Sequence, residues 1–515
     1  MKIPQEVKNI LKNLQEAGFE AYAVGGCVRD LLLGQKPKDW DIATNASPEQ
    51  IQEIFPESFY ENKFGTVTVK IPRPAVQAGT PAEGLGADSS DETLREIEVT
   101  TYRVDAKYSD KRHPDSVSFT RNLKEDLARR DFTINAIALL PIANGKSQIN
   151  DEKSDKQFAI SDLRIIDPFG GQEDLKKKLI RAVGKPEERF SEDALRMLRA
   201  VRFAVELDFE IEEKTKKAIQ KNAAWLQAIA KERIKEELEK ILISEQADQG
   251  ILLLHDLGLL EFIIPELVKG VGVAQNRHHI YTIFEHAIFS LKFAAQKKFN
   301  LVVRLAALLH DVAKPQTKRG EGADSTFYNH DILGARYAAQ ILERLHFSNE
   351  TIERVANLIR NHMFVYDIGA VTEAGVRRLL RRVGPENMKD LIALRVADRL
   401  GSGVPKAQPY RLRHFQYMVE KVQHDAISVK MLKINGHDIM KNLNIKPGPK
   451  IGAILDVLLA EVIENQKFNT KEYLSERVRK LNEMDLTQLR QLAKDRIEEK
   501  KEEEDKIIKS KYWVE

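Results

Sequence analysis

The stretch Tyr22–Thr44, YAVGGCVRDLLLGQKPKDWDIAT, decides the fold of the first part of this chain. It predicts an apolar strand, a Gly-Gly turn, a helix, and a second strand that carries Asp39 and Asp41. Alternation along a strand places both carboxylates on one face, where they repel each other unless a cation such as Mg²⁺ lies between them. At Gly26 the turn lets backbone amides approach a phosphate, with Arg29 one turn into the helix. A phosphate and a divalent metal at one place indicate phosphoryl or nucleotidyl transfer.

The composition indicates a multidomain protein. The chain has 515 residues, a formal net charge of +3 and a single cysteine, Cys27. One cysteine excludes an intrachain disulfide and is typical of a reducing compartment, and its place beside the turn predicts a packing residue rather than a nucleophile. Residues 1–15 form a polar amphipathic segment rather than a secretory signal, and no window approaches the roughly 20 apolar residues of a membrane span. We therefore expect a cytoplasmic protein.

The next part of the chain predicts two strands, at Phe64–Ile71 and Ile97–Arg103, which are rich in β-branched residues. Glu98 on the second strand is either a third acidic residue at the metals or an ordinary solvent-facing glutamate. We expect exposed loops in the polar segments at 72–96, 105–117 and 144–158.

The stretch KEDLARRDFTINAIAL, residues 124–139, predicts a helix over Asp126–Ile137. Arg129, Arg130 and Asp131 place two cations and an anion near the metal-binding strand. A charged helix face without a functional role is the alternative.

A second informative stretch, SEDALRMLRAVRF, predicts one helix over Ser191–Phe203, with Ser191 as its cap. Asp193 and Arg196 are three residues apart and are therefore neighbours on that helix. They form either a salt bridge or a pair that reads a base. A carboxylate accepts and a guanidinium donates, which matches the amine-beside-acceptor edges of cytosine and adenine and mismatches guanine and uracil.

Arg199 and Arg202 continue the three-residue series, but a row at this spacing drifts by about 60° per step on an α-helix. The four side chains therefore cannot all meet one base. We expect the two later arginines to bind phosphates or ribose, or to position the helix.

These motifs together resemble the class II tRNA nucleotidyltransferases and bacterial poly(A) polymerases, which they match in order from about residue 22 to residue 265. The resemblance implies that Asp39 and Asp41 hold Mg²⁺, that CTP and ATP are the substrates, and that basic surface binds the tRNA acceptor arm. It also implies that the loop at 105–117 is the flexible loop of enzymes that switch from C to A. Nucleotide-binding roles follow by resemblance for Gly26, Arg29, Arg130, Asp131, Asp193, Arg196, Arg199 and Arg202.

A different set of residues lies in the helical region 280–400. Its H…HD…D order resembles the HD phosphohydrolases. By that resemblance one transition metal, such as Ni²⁺ or Mn²⁺, is bound by His286, His310, Asp311 and Asp398. His330 and His362 are able to complete or extend the site. Structural histidines on apolar helix faces, in an HD fold kept as scaffold, are the alternative.

We expect a multidomain α+β protein. Its parts are a nucleotidyltransferase head with a mixed sheet (1–170), a helical neck and body (171–270), an HD domain (271–410) and a helical, tRNA-binding tail (411–515) that ends in a solvated charged helix. The expected activity is untemplated addition of CCA to tRNA, without DNA or membrane partners; the oligomeric state is open. The alternatives are a poly(A) polymerase or an A- or CC-only enzyme, a hydrolase of 2′,3′-cyclic or 3′ phosphates, and a non-catalytic RNA-binding protein.

Overall fold

The computed structural model describes residues 3–60, 65–71, 96–105, 117–141, 163–276, 280–403, 408–424, 432–464 and 466–514. Apart from the end residues 96, 105 and 117, the three polar segments that we expected to be loops lie outside the described residues.

A mixed β-sheet forms the first part of the chain. Among the described residues the strands are β1 (Ala21–Val24), β2 (Asp41–Thr44), β3 (Ser58–Tyr60), β4 (Thr66–Lys70), β5 (Glu96–Thr101), β6 (Arg103–Asp105), β7 (Val117–Phe119), β8 (Ala138–Pro141), β9 (Leu163–Ile166), β10 (Leu179–Ile180) and β11 (Glu210–Ile211). Seven of them form one sheet in the order β3-β4-β5-β2-β1-β8-β9. Only the β2–β5 pair in this sheet is parallel. This mixed sheet followed by helices confirms the expected α+β class.

Helices surround the sheet and build the rest of the described chain. Those of the first half are α1 (Gln5–Glu16), α2 (Gly26–Leu32), α3 (Pro48–Ile54), α4 (Leu123–Ala128), α5 (Gly171–Lys176), α6 (Pro186–Glu192), α7 (Leu195–Leu207), α8 (Glu213–Asn222), α9 (Lys231–Ile243), α10 (Ala247–Asp256), α11 (Leu260–Ile263) and α12 (Pro265–Val268). Those of the second half are α13 (Ile283–Gln296), α14 (Leu301–Leu309), α15 (Lys314–Thr317), α16 (His330–Arg344), α17 (Asn349–Asn361), α18 (Glu373–Val383), α19 (Met388–Gly401), α20 (Tyr410–His424), α21 (Gly436–Leu443), α22 (Pro449–Glu464), α23 (Lys471–Leu481) and α24 (Leu486–Tyr512).

The helix expected over residues 126–137 is wrong. α4 ends at Ala128, and a short 3-10 turn follows at Thr133–Asn135. Between them Asp131 accepts hydrogen bonds from the backbone N–H of Phe132 and from the Asn135 amide, so a side chain competes with the helical ladder. After the break Arg130 lies beside the turn at Gly25, whereas Asp131 reaches Arg199 of α7.

One apolar cluster extends from α1 through α20, and a second one lies in the tail between Leu432 and Leu489. The end of α24 returns to the first cluster, where Ile508 and Val514 are buried. Lys511 and Tyr512 also bind Glu420 of α20, at 2.8 and 2.7 Å. The end of the expected solvated helix is therefore docked. Within the described residues, no helix combines the length and apolarity of a membrane span.

Candidate active site

The turn between β1 and α2 brings a cation to a carboxylate. Gly25 has a φ of 79°, and a Cβ atom there would lie 2.8 Å from Nη1 of Arg130 and 3.6 Å from Oδ2 of Asp41. The backbone conformation therefore favours glycine, and a side chain at this position would displace the guanidinium of Arg130. Cys27, the second residue of α2, is buried, and this burial raises the thiol pKa to about 12. This agrees with a packing residue.

Two carboxylates lie close together at the start of β2. The strand begins at Asp41, so Asp39 lies just before it in exposed chain; the expectation that both are strand residues is wrong. Burial raises the pKa of Asp41, Arg130 opposes that rise, and the charge of Asp39 adds to it. A divalent cation would relieve the repulsion, and an all-oxygen donor set fits Mg²⁺.

Glu98 lies beside this pair. Asp41 and Glu98 are register partners in the parallel strands β2 and β5, so their side chains share a face of the sheet. The arrangement is compatible with a third acidic group at the metals, a role that stays a prediction.

The segment after α4 links the head to the neck. Asp131 is 8% exposed and accepts from Nε of Arg199 at 2.8 Å. Burial disfavours its charged form, but Arg199 and Arg196 outweigh that effect and lower the Asp131 pKa to about 2. Asn135 donates to Asp131 at 3.2 Å and accepts from Nη1 of Arg29 at 3.0 Å. Asn135 is a contact residue that the sequence analysis missed.

The helix predicted over Ser191–Phe203 is wrong, because the chain breaks between α6 and α7. Ser191 lies inside α6, where its hydroxyl donates to the Glu188 carbonyl, and does not cap a helix. Asp193 instead accepts from the Leu195 N–H at 3.0 Å as α7 begins. Its extended backbone frees the carboxylate from the helical row.

Asp193 and Arg196 are each held by other partners. Arg233 of α9 donates to both oxygens of Asp193, at 2.8 and 3.3 Å. Arg196 donates to Glu192 at 2.6 Å and to the Arg129 carbonyl at 2.9 Å. The predicted base-reading pair is therefore oriented from two sides, by α9 and by the head. Arg233 was not identified from the sequence.

The two later arginines of α7 have different surroundings. Arg199 reaches Asp131 in the head, whereas Arg202 is buried and donates to Glu237 of α9 at 3.1 Å. Arg202 thus ties α7 to α9, and nucleotide binding by either arginine stays a prediction.

A second cluster of titratable side chains lies in the back half. Nε2 of His286 lies 3.0 Å from Nε2 of His310, 3.4 Å from Oδ2 of Asp311 and 3.3 Å from Oδ1 of Asp398. Nε2 of His310 lies 3.3 Å from the same Asp311 oxygen. Ligands of one metal lie at such mutual distances, since bonds of about 2.0–2.2 Å subtend edges near 3 Å.

The other face of Asp311 meets two further histidines. Its Oδ1 lies 3.6 Å from Nε2 of His330, and a ligand atom of His362 lies within 4.8 Å of both. His330 and His362 interact with carbonyls three residues earlier, at 2.7 and 2.6 Å. These Nδ1 contacts orient Nε2 towards the cluster, as outer partners do in metal sites. The structure thus brings all six predicted HD residues into one cluster.

The donor set of this cluster fits a transition metal. Burial and, as the second largest effect, the charge of His310 lower the His362 pKa to about 3, so that this imidazole is neutral at pH 7. Burial disfavours charge on Asp311, yet His310 and Lys314 hold its pKa well below the usual range. Nζ of the buried Lys314 lies 2.7 Å from Oδ2 of Asp311. The sequence analysis missed Lys314, although its position three residues after Asp311 in HDVAK indicates that the two side chains are neighbours.

Comparison with known sequence families gives three matches. Residues 21–181 match the Poly A polymerase head domain. Residues 208–270 match the probable RNA and SrmB-binding site of polymerase A, and residues 331–478 match the putative tRNA nucleotidyltransferase domain 2. These ranges leave the HD interpretation of the back half a prediction.

Individual relatives align over nearly the whole chain. A CCA-adding enzyme from Geobacillus sp. (strain WCH70) is 42% identical over 92% of this chain and 97% of its own. An A-adding tRNA nucleotidyltransferase from Deinococcus radiodurans is 34% identical over 85% and 90% of the two chains. The crystal structure of Bacillus stearothermophilus CCA-adding enzyme in complex with CTP is 28% identical, covers 94% and 98% of the two chains, and superposes with a TM-score of 0.56. This chain therefore belongs to the family of tRNA nucleotidyltransferases that includes the CCA-adding enzymes.

Proposed function

We propose that this protein adds C, C and A in turn to the 3′ end of tRNA, using CTP and ATP and no nucleic-acid template. The observation that carries the proposal is one connected site: the Asp39–Asp41 pair beside Arg130, joined through Asp131 to the helix that follows Asp193. The full-length relationship to CCA-adding enzymes supports it. A substrate of this kind is present in the cytoplasm, where we place the protein.

Asp39 and Asp41 would hold Mg²⁺, which when bound supplies charge stabilisation at the attacking and leaving oxygens. In the reaction the tRNA 3′-hydroxyl loses its proton to solvent, and its oxygen forms a bond to the α-phosphorus of the nucleotide. The bond from that phosphorus to the bridging oxygen breaks, and pyrophosphate leaves with the electron pair. Arg29 and Arg130 would hold the triphosphate, whose negative charge complements their guanidinium groups.

Asp193 and Arg196 would select the base. The carboxylate accepts from the exocyclic amine of cytosine or adenine, and the guanidinium donates to the neighbouring ring nitrogen. Guanine or uracil would place its ring N–H opposite the guanidinium and its carbonyl oxygen opposite the carboxylate. Because Arg233 and the Arg129 carbonyl hold these two side chains, the site cannot easily rearrange to relieve this mismatch.

The deciding experiment uses tRNA lacking its terminal CCA, Mg²⁺, and CTP and ATP singly and together, followed by sequencing of the 3′ ends. We expect CC with CTP alone and CCA with both nucleotides, and then no further addition. Extension by A alone, and only on tRNA that already ends in CC, would instead assign the activity of the Deinococcus relative. Long A tails on unrelated RNA would assign a poly(A) polymerase.

A second candidate function rests on the cluster around Asp311. We propose that the cluster binds a divalent transition metal through His286, His310, Asp311 and Asp398, with His330 and His362 extending the site, and that it hydrolyses 2′,3′-cyclic or 3′-terminal phosphates. Such a metal when bound supplies an activated water. The convergence of six buried or nearly buried ligands supports metal binding.

Titration of Ni²⁺ and Mn²⁺ into the purified protein tests this second candidate. We expect metal binding that His310→Ala weakens at least about 100-fold, together with loss of ring opening of 2′,3′-cyclic nucleotides and of phosphate release from 3′-phosphates. If the metal binds but no cyclic or 3′ phosphate is hydrolysed, the cluster is a structural metal site and not a catalytic one.

We further propose four functional parts: the head at 1–170, the neck and body at 171–270, the metal-binding domain at 271–410, and the tail at 411–515. The neck, body and tail would hold the acceptor arm through basic surface, with an affinity that falls as salt concentration rises.

A further inference from the structure

Phe203 lies against three guanidinium groups. The ring is on α7 and is 4% exposed. The Cζ atoms of Arg202, Arg29 and Arg199 lie 4.3, 5.1 and 5.2 Å from its centroid. A guanidinium within about 6 Å of an aromatic centroid is attracted by the ring, and more strongly where water is excluded. One ring therefore contacts a cation of the head and two cations of the neck.

The same residues are joined by a circuit of hydrogen bonds. Arg29 donates to Asn135, Asn135 donates to Asp131, and Arg199 donates to the other oxygen of Asp131, at 3.0, 3.2 and 2.8 Å. Phe203 closes the circuit, because its ring contacts both Arg29 and Arg199. The triphosphate end of the site is in this way connected to the helix that begins two residues after Asp193.

Packing explains only part of the choice of an aromatic residue at this position. The Phe203 ring meets Phe132 edge-to-face with centroids 5.8 Å apart, but a leucine would offer no ring face to the three guanidinium groups. Each guanidinium here has its own acid: Arg29 pairs with Asp30 at 2.7 Å, Arg199 with Asp131 at 2.7 Å and Arg202 with Glu237 at 3.1 Å. The charges are thus balanced, and the ring adds a fixed surface against which the guanidiniums lie.

We propose that Phe203 is a positioning residue for nucleotidyl transfer, whose ring holds Arg29 and Arg199 in the geometry that receives the nucleoside triphosphate. Its burial keeps Phe203 itself away from the substrate. The inference rests on the proposed nucleotidyltransferase function and deepens it, because it links triphosphate binding in the head to base selection on the neck.

The test compares Phe203→Leu with a matched control, Phe209→Leu. Phe209 is a buried ring on the same neck, and in the part of the chain that the structure describes no guanidinium lies over it. For Phe203→Leu we expect the KM for CTP and for ATP to rise about ten-fold, with the KM for tRNA unchanged. Incorporation of UTP relative to CTP should rise as well. Phe209→Leu should lower the melting temperature by a similar amount and leave these ratios unaltered.

Phe203→Tyr keeps the ring face and should restore the KM values to within about three-fold of the wild type. Equal kinetic effects of Phe203→Leu and Phe209→Leu, or a parallel rise in the KM for tRNA, would overturn the inference. If Phe203→Leu fails to fold, Phe203→Met, which is also apolar and of similar size, replaces it. Calorimetric titration with CTP separates this inference from the proposed function. A wild-type protein that binds CTP but extends no tRNA contradicts the proposed function. Weaker CTP binding by the Phe203 variant than by the wild type still supports the role of Phe203.

Discussion

At the residue scale, Asp41 has the most constrained surroundings among the proposed catalytic groups. It is partly buried beside Arg130, and its negative charge is repelled by that of Asp39. Asp41→Asn keeps the size of the side chain but removes the charge that would attract Mg²⁺. We expect nucleotide addition to fall at least about 100-fold, with tRNA binding and the melting temperature nearly unchanged. Activity within a few-fold of wild type would show that the metals bind elsewhere.

Arg233 provides a test of base selection that leaves the reacting groups in place. Its two hydrogen bonds orient the Asp193 carboxylate, and charge-assisted pairs of this geometry are among the strongest in proteins. For Arg233→Met we expect misincorporation of UTP and GTP to rise about ten-fold relative to CTP and ATP, while pyrophosphate release per event changes little. Arg233→Lys should lie between the two, since lysine keeps the charge without the planar fork. Unchanged fidelity in both variants would contradict the proposed role of Asp193.

The lowered pKa of Asp131 predicts that the stability of the head depends on pH. Its folded-state pKa of about 2 lies below the ordinary value of 3.8, so its charge stabilises the fold above about pH 4 and this contribution is lost as the pH falls towards 2. Asp131→Asn should cost about 2 kcal/mol at pH 7 and less at pH 3. Urea unfolding followed by the fluorescence of buried Trp40, with Trp225 and Trp513 replaced by Phe, measures both values. An equal cost at the two pH values would contradict this account.

The sequence motifs contain the proposed reacting groups but not the residues that orient them. Asp39, Asp41 and Arg130 belong to short motifs with recognisable spacing, so the sequence alone proposes them as metal-binding or nucleotide-binding residues. Arg233 lies 40 residues from Asp193, and Asn135 lies 106 residues from Arg29. Contacts of this kind depend on how helices pack, which local periodicity does not encode.

At the scale of elements, strands form in the three apolar or β-branched stretches where we expected them, as β1, β4 and β5, whereas the strand expected to carry Asp39 begins only at Asp41. The helices expected over 126–137 and 191–203 are each interrupted where an aspartate, Asp131 or Asp193, accepts from a nearby backbone N–H. Helix periodicity continues through both breaks, so the pattern alone could not reveal them. Both interruptions carry proposed nucleotide-binding residues.

The end of α24 supports a prediction about the element itself. Ile508 is 6% exposed and packs into the large apolar cluster that includes α20. Ile508→Ala should cost about 2–4 kcal/mol of stability through the lost burial and the cavity that remains. Thermal unfolding measures the change, and Ile507→Ala is the matched control because Ile507 is 67% exposed. Equal effects of the two substitutions would mean that the helix end is undocked in solution.

At the scale of the whole molecule, the chain carries two clusters with different donor sets. The head offers carboxylates, which suit Mg²⁺, whereas the back half offers imidazoles and carboxylates, which suit softer divalent metals. In the described residues the two sites share no ligand, since Asp39 and Asp41 lie at the start of β2 and Asp311 follows α14. Each site should therefore lose its metal without the other.

Paired substitutions test this independence. Asp311→Asn should abolish Mn²⁺ or Ni²⁺ binding in the back half and leave CCA addition within about two-fold of wild type, because additivity holds for distant sites that share no partners. Asp41→Asn should do the reverse. Lys314 adds a complication, since removal of the Asp311 charge leaves its buried ammonium without a carboxylate and lowers stability. The combined variant Asp311→Asn/Lys314→Met removes both charges and should recover stability without recovering metal binding. If CCA addition falls in the combined variant as far as in Asp41→Asn, the two sites are coupled and the back half takes part in tRNA end synthesis.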